Sequence, residues 1–152
     1  MALALTLAYV VHVVVAALWT GSVLFVTYAV LPQGYDGTIG PDALSAAVGK
    51  LSVLTRTAAL VLPITGGYQI LRLYPGEAIL TPPRGHLVLG MVVLWLAVTA
   101  LVEVAGARMR EGLDREKVRT PAREGRPFLL AASLLSLLLL VDAGLLAAGF
   151  GA

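Results

Sequence analysis

Few side chains in this 152-residue chain could do chemistry, and they stand out because nearly everything around them is apolar. A histidine, His12, interrupts "YVVHVVVAALWTGSVLF" at residues 9–25. Arg56 and Glu103 each sit inside a further apolar run, and Asp142 is the only acid in the last such run. His86 and Gln69 lie nearer the ends of theirs. An imidazole can ligate a metal ion or a haem iron, or shuttle protons. A guanidinium binds oxygen anions through a two-pronged fork. Ionisable groups are costly in lipid and usually face the interior of a helix bundle, so each of these residues is a candidate for a site.

The background decides what must position them. The chain is 59% hydrophobic and 13% charged, with mean hydropathy +0.89. Soluble domains are about half apolar and about a quarter charged. A single soluble core of this length could not hide so much apolar surface, so an integral membrane protein of one domain, residues 1–152, is expected. With no cysteine, disulfides, thiolate metal sites and iron–sulfur ligation are excluded. The one basic segment is interleaved with acids, which argues against nucleic acid as a partner.

Four apolar runs, at about residues 3–31, 51–73, 85–107 and 128–150, each reach the roughly 20 residues that a bilayer-spanning helix needs. The expected fold class is therefore all-α, an up-and-down bundle of four membrane helices. "MALALT" has no basic leader and its apolar run is too long for a cleaved signal, so a retained helix is expected. "LPQGYDGTIGPDAL", "YPGEAILTPPRG" and "TPAREGRP" separate the runs, and Pro127 suits a first helical turn. The amphipathic "DALSAAVGK" leads into the second helix.

Between residues 108 and 127 the chain carries Arg108, Arg110, Arg115, Lys117, Arg119, Arg123 and Arg126, whereas Arg84 alone lies between helices two and three. The positive-inside rule makes the 108–127 loop cytoplasmic and puts both termini outside. Helices one and three then run inward. At 1.5 Å per residue, His12 and Asp142 lie about 12 Å from the outer ends of their runs, with Gln69 and His86 nearer the outer surface. Arg56 and Glu103 form an inner pair. Arg56 shares a face with the small residues Ala59, Pro63 and Gly67, and Glu103 with Thr99 and Trp95. The two are expected to neutralise each other across helices two and three, as a packing ion pair or as part of a carboxylate or headgroup site around Arg56.

In the outer half, His12, Ala16 and Trp19 share one face of helix one. His12 is expected either to be a buried imidazole bonded to Asp142 or a hydroxyl, or to ligate a metal or haem together with His86. Pro63 and "TGG" at 65–67 lie within helix two, where a bend and close helix approach are expected. No nucleophile triad, zinc-ligand spacing or phosphate-binding loop is present, so no catalytic residue is assigned and a non-enzyme is expected.

"HVVVAALWTGSVLF", with its His followed by Trp-x-Gly, resembles the first membrane helix of the CopD-like (copper-resistance D) family. "KLSVLTRTAALVLPITGGYQIL" and "ILTPPRGHLVLGMVVLWLAVTALVEV" are similar to the following helices of that family, and the resemblance covers about residues 9–110. It implies a polytopic membrane protein for transport or handling of copper or another metal ion. Methionine is confined to Met1, Met91 and Met109. A copper site would thus rest on His12, His86 and Asp142, a set better suited to Cu(II) than to Cu(I). The His-to-Trp spacing also resembles HemJ-type membrane proteins that bind haem b, which implies His12 as an axial ligand. Those oxidases carry a lysine in the later helix where this chain reads "GHLVLGMVV", which argues against their oxidase activity. A third reading is a non-catalytic scaffold or accessory subunit. One four-helix chain is narrow for a transporter, so transport implies a homo-oligomer or a membrane complex partner.

Overall fold

The computed structural model describes residues 2–73 and 84–149, and every regular element among them is helical. Helix α1 (Ala2–Phe25) continues through a π-helical stretch (Val26–Val30) into α2 (Leu31–Asp36). Then come α3 (Pro41–Leu73), α4 (Arg84–Leu113) and α5 (Arg119–Ala147). Four spans of 35, 33, 29 and 29 residues have the length and apolar composition to cross a bilayer. The chain is an all-α four-helix bundle of the membrane kind.

The π-helical stretch has a local cause. Pro32 has no N–H to give the carbonyl four residues back, and Leu31 reaches five residues back to the Val26 carbonyl instead.

The helices outrun the apolar segments that announce them. The first reaches Asp36, "PDALSAAVGK" forms the opening turns of α3, and the expected 108–127 loop shrinks to a turn at 114–118. Hydropathy marks the stretch that lipid accepts. Glu, Arg, Lys and Ala are good helix formers and carry the helix on into the interface. The turn closes with Glu116 at φ 58° and Lys117 N–H on the Gly112 carbonyl at 3.1 Å. Pro121 occupies the first turn of α5, and Pro127, expected there, lies in its interior. The other turn ends α2 with Gly37 at φ 76°, its N–H on the Gln33 and Gly34 carbonyls, a left-handed position that favours glycine. The break at "YPGEAILTPP" lies outside the described residues.

Each span packs against its neighbours in sequence, and the fourth closes the ring against the first. Buried residues recur every three or four positions and give each helix one stripe toward the axis. Trp19, Val23, Thr27, Val30 and Gly34 form the stripe of the first span, and Leu44, Val48, Leu51, Thr55, Ala58 and Leu62 that of α3. Val98, Val102, Ala105 and Met109 of α4 and Ala122, Leu129, Ala132 and Ser136 of α5 are the buried residues of two helices that pack on each other.

This core is uneven. It begins only at Trp19 in α1 and at Val98 in α4, so it fills the half of the bundle that carries the 37–40 and 114–118 turns. In that half a polar clasp joins the first span to α5. Thr27 Oγ1 donates to the Val23 carbonyl at 2.7 Å, and Ser133 Oγ lies 2.9 Å from Thr27 Oγ1. The opposite half exposes large apolar side chains on its flanks, with Leu71 77% and Leu3 71% exposed. Lipid accepts such a surface and water does not.

Candidate functional site

The loosely packed half is also where His12 lies. Its ring is half-buried, and Nδ1 is 2.7 Å from Thr65 Oγ1 on α3. Thr65 Oγ1 is itself 2.7 Å from the Val61 carbonyl and 3.3 Å from that of Leu62. The hydroxyl has one proton, which the Val61 carbonyl or His12 Nδ1, each 2.7 Å away, can take. With that proton on the Val61 carbonyl, the oxygen accepts from Nδ1–H and the lone pair lies on Nε2; with it on Nδ1, the ring is the other tautomer. The ring also lies within hydrogen-bonding reach of the Leu62 backbone. Gly66 completes the seat, since a Cβ there would come within 3.1 Å of His12 Cε1. Of the two glycines in "TGG", packing requires this one. A Cβ on Gly67 would meet nothing within 4 Å.

Three further helices direct polar groups toward the same half. Asp142 of α5 is 8% exposed, and its Oδ2 has no hydrogen-bond partner. Gly90 of α4 lies against it, a Cβ there falling 3.6 Å from Oδ2. Gln69 Nε2 of α3 and Trp95 Nε1 of α4 are likewise buried without a partner. Gln69 continues the Leu62–Thr65 stripe, and Trp95 precedes the Val98–Val102 stripe. Each such atom left unpaired costs about 1–3 kcal/mol. Every span thus carries a polar group in this half, two of them with acceptor atoms and two with donors.

The expected ligand set is not assembled. His12 bonds to the Thr65 hydroxyl, and no hydrogen bond joins it to Asp142 or His86. His86 is exposed in the first turn of α4. Among the described residues, no three His, Asp or Glu side chains stand close enough together to hold a metal ion.

Arg56 and Glu103 do meet. Arg56 Nη2 is 2.8 Å from Glu103 Oε2 and Nε is 3.1 Å from Oε1, a two-pronged ion pair. The pair lies on the outer surface of the α3–α4 seam, with the two side chains 60% and 30% exposed, and does not face the interior. The axis-facing stripe of α3 runs through Thr55 and Ala58, and Arg56 is turned one residue, or 100°, away from Thr55. The small-residue face shared with Ala59, Pro63 and Gly67 points outward in the same way, with Pro63 exposed.

Sequence reasoning allowed a hydroxyl partner for His12 but missed the one that Trp19 finds. Trp19 Nε1 donates to Thr55 Oγ1 at 3.0 Å, with both residues fully buried. The signal was present, because a lone hydroxyl in an apolar helix commonly bonds across to a neighbour. Fold and site together define a polytopic membrane protein with a polar, histidine-containing half. Compared with protein-family models, curated proteins and solved structures, the chain matches none.

Proposed function

We propose that this chain is a multi-pass membrane protein of the CopD-like kind that binds a metal centre through His12 Nε2. One observation carries the reading. With its own proton on the Val61 carbonyl, the Thr65 hydroxyl accepts from Nδ1–H and orients Nε2 as a donor atom, which is how metal-ligating histidines are held by a second residue. Handling of copper or another metal ion is the reading that the resemblance supports. His86 and Asp142 would add donors only after the helices move, or a second copy of the chain would supply them.

Bound haem b is the second reading, supported by the resemblance of the His-to-Trp spacing to haem-binding membrane proteins. No group of three protein ligands is assembled among the described residues, and a porphyrin brings four nitrogens of its own, so one histidine suffices. The apolar, loosely packed half suits a flat apolar macrocycle. No catalytic step is assigned. Orientation follows the basic residues, with the 114–118 turn cytoplasmic and both termini outside. A homo-oligomer or a membrane complex would provide the width that transport requires.

The test is the absorption spectrum and metal content of protein purified after expression with ample haem and copper. A Soret band that is lost in His12→Ala supports haem. Stoichiometric copper lost in His12→Ala, with no Soret band, supports metal-ion handling. If neither is present, the metal reading fails and a scaffold role stands in its place.

A further inference from the structure

The Arg56–Glu103 pair has a third member. Arg110 Nη2 lies 4.0 Å from Glu103 Oε2, and its Nε donates to the Gly106 carbonyl at 3.2 Å. Two guanidiniums therefore face one carboxylate. Of their N–H groups, Arg56 commits two to Glu103 and Arg110 commits one to the backbone, whereas each guanidinium offers five. Both remain exposed, Arg56 at 60% and Arg110 at 48%.

The direction of Arg110 matters. It stands three residues before the end of α4 at Leu113. An arginine so near a helix end ordinarily extends toward that end and the water beyond it. Here the bond to Gly106 turns the chain the other way, back along α4 toward Glu103. A net positive charge is thereby held on the lipid-facing surface of an apolar bundle, where an uncompensated charge is costly. The anion available at that surface is a lipid phosphate, and the guanidinium fork matches its oxygens. Around α3 from Arg56, the outward face of that helix alone is a shallow, open apolar surface formed by Ala46, Gly49, Lys50, Val53, Leu54 and Thr57. An acyl chain running from the seam across α3 meets this apolar face.

We infer that the α3–α4 seam is a specific site for an anionic glycerophospholipid, with its phosphate held by Arg110 and Arg56 beside Glu103. The inference is independent of any metal at His12.

The test uses the full chain in neutral detergent and compares phosphatidylglycerol with phosphatidylcholine by thermal unfolding and by native mass spectrometry of bound lipid. Phosphatidylglycerol is expected to raise Tm by about 5 °C and to stay bound, with phosphatidylcholine doing neither. Arg110→Gln, measured against its own lipid-free baseline, should lose most of that rise. Arg110→Lys, which keeps the charge without the fork, should keep part of it. Arg115→Gln, which removes an exposed arginine paired to Glu111, should respond as the parent does. Glycerol 3-phosphate without acyl chains should give no rise, and an equal rise would mean a free phosphate site and overturn the lipid assignment. Equal stabilisation by the two lipids, or an undiminished response in Arg110→Gln, would also overturn it.

Discussion

The Trp19–Thr55 hydrogen bond ties the first span to α3 about 10 Å along the helix from His12, at 1.5 Å per residue over seven residues. Replacing Thr55 with Val keeps the shape of the side chain and removes the acceptor. The indole N–H is then left unpaired at a site where both residues are 0% exposed. An unpaired buried donor costs about 1–3 kcal/mol. Interhelical hydrogen bonds in membrane proteins average about 0.6 kcal/mol and reach about 1.7, because separated helices find other partners in lipid. Full burial and a 3.0 Å separation place this bond near the upper end, at about 1–1.5 kcal/mol. Trp19→Phe alone also loses packing volume, so a double-mutant cycle with Thr55→Val is needed to isolate the bond. Unfolding of the four proteins by titration with denaturing detergent should give a coupling of that size. Strict additivity of the two single losses, within about 0.3 kcal/mol, would refute the pairing.

Two glycine substitutions should have opposite signs. Gly34→Ala places a methyl 2.8 Å from Ala122 Cβ and 3.0 Å from Leu44 Cδ2, so the α2–α5 contact must spread and the bundle should lose about 1–3 kcal/mol in the same assay. Gly49→Ala meets nothing within 4 Å and should gain up to about 1 kcal/mol from helix propensity. Glu103→Gln leaves two guanidiniums without a counter-charge and should lower Tm in detergent, and an unchanged Tm would mean that the ion pair contributes nothing to stability. Thr65→Val removes the group that holds His12 Nδ1 and should weaken metal or haem retention about 10–100-fold with little change in Tm, as measured by competition with a chelator or by transfer of haem to an acceptor protein.

The four spans were legible because apolar runs of about twenty residues have few alternatives to a membrane helix. Their ends were not, since hydropathy stops at the interface and the helix does not. Pro127 shows the difficulty, because its residue type fits a first turn and the helix begins eight residues earlier at Arg119. The partnership of Arg56 and Glu103 could be read from depth and charge alone. Its outward placement could not, because the axis-facing stripe of α3 is set by the packing of Thr55 and Ala58 against neighbours that one sequence does not reveal. For His12 the sequence narrowed the partner to Asp142 or a hydroxyl. The choice of Thr65 depends on the register between α1 and α3, fixed by contacts such as Trp19 on Thr55 and His12 on Gly66. The uneven distribution of the core was invisible to hydropathy, which scores lipid-facing and buried apolar residues alike.

The central claim is that His12 Nε2 binds a metal centre, and the most direct measurement is the reduced-minus-oxidised absorption spectrum, with metal content, of the parent protein beside His12→Ala at equal folded concentration. Metal binding at His12 gives a haem signal or stoichiometric metal in the parent and its loss in the variant. A parent with neither, or a signal that His12→Ala leaves unchanged, would contradict it.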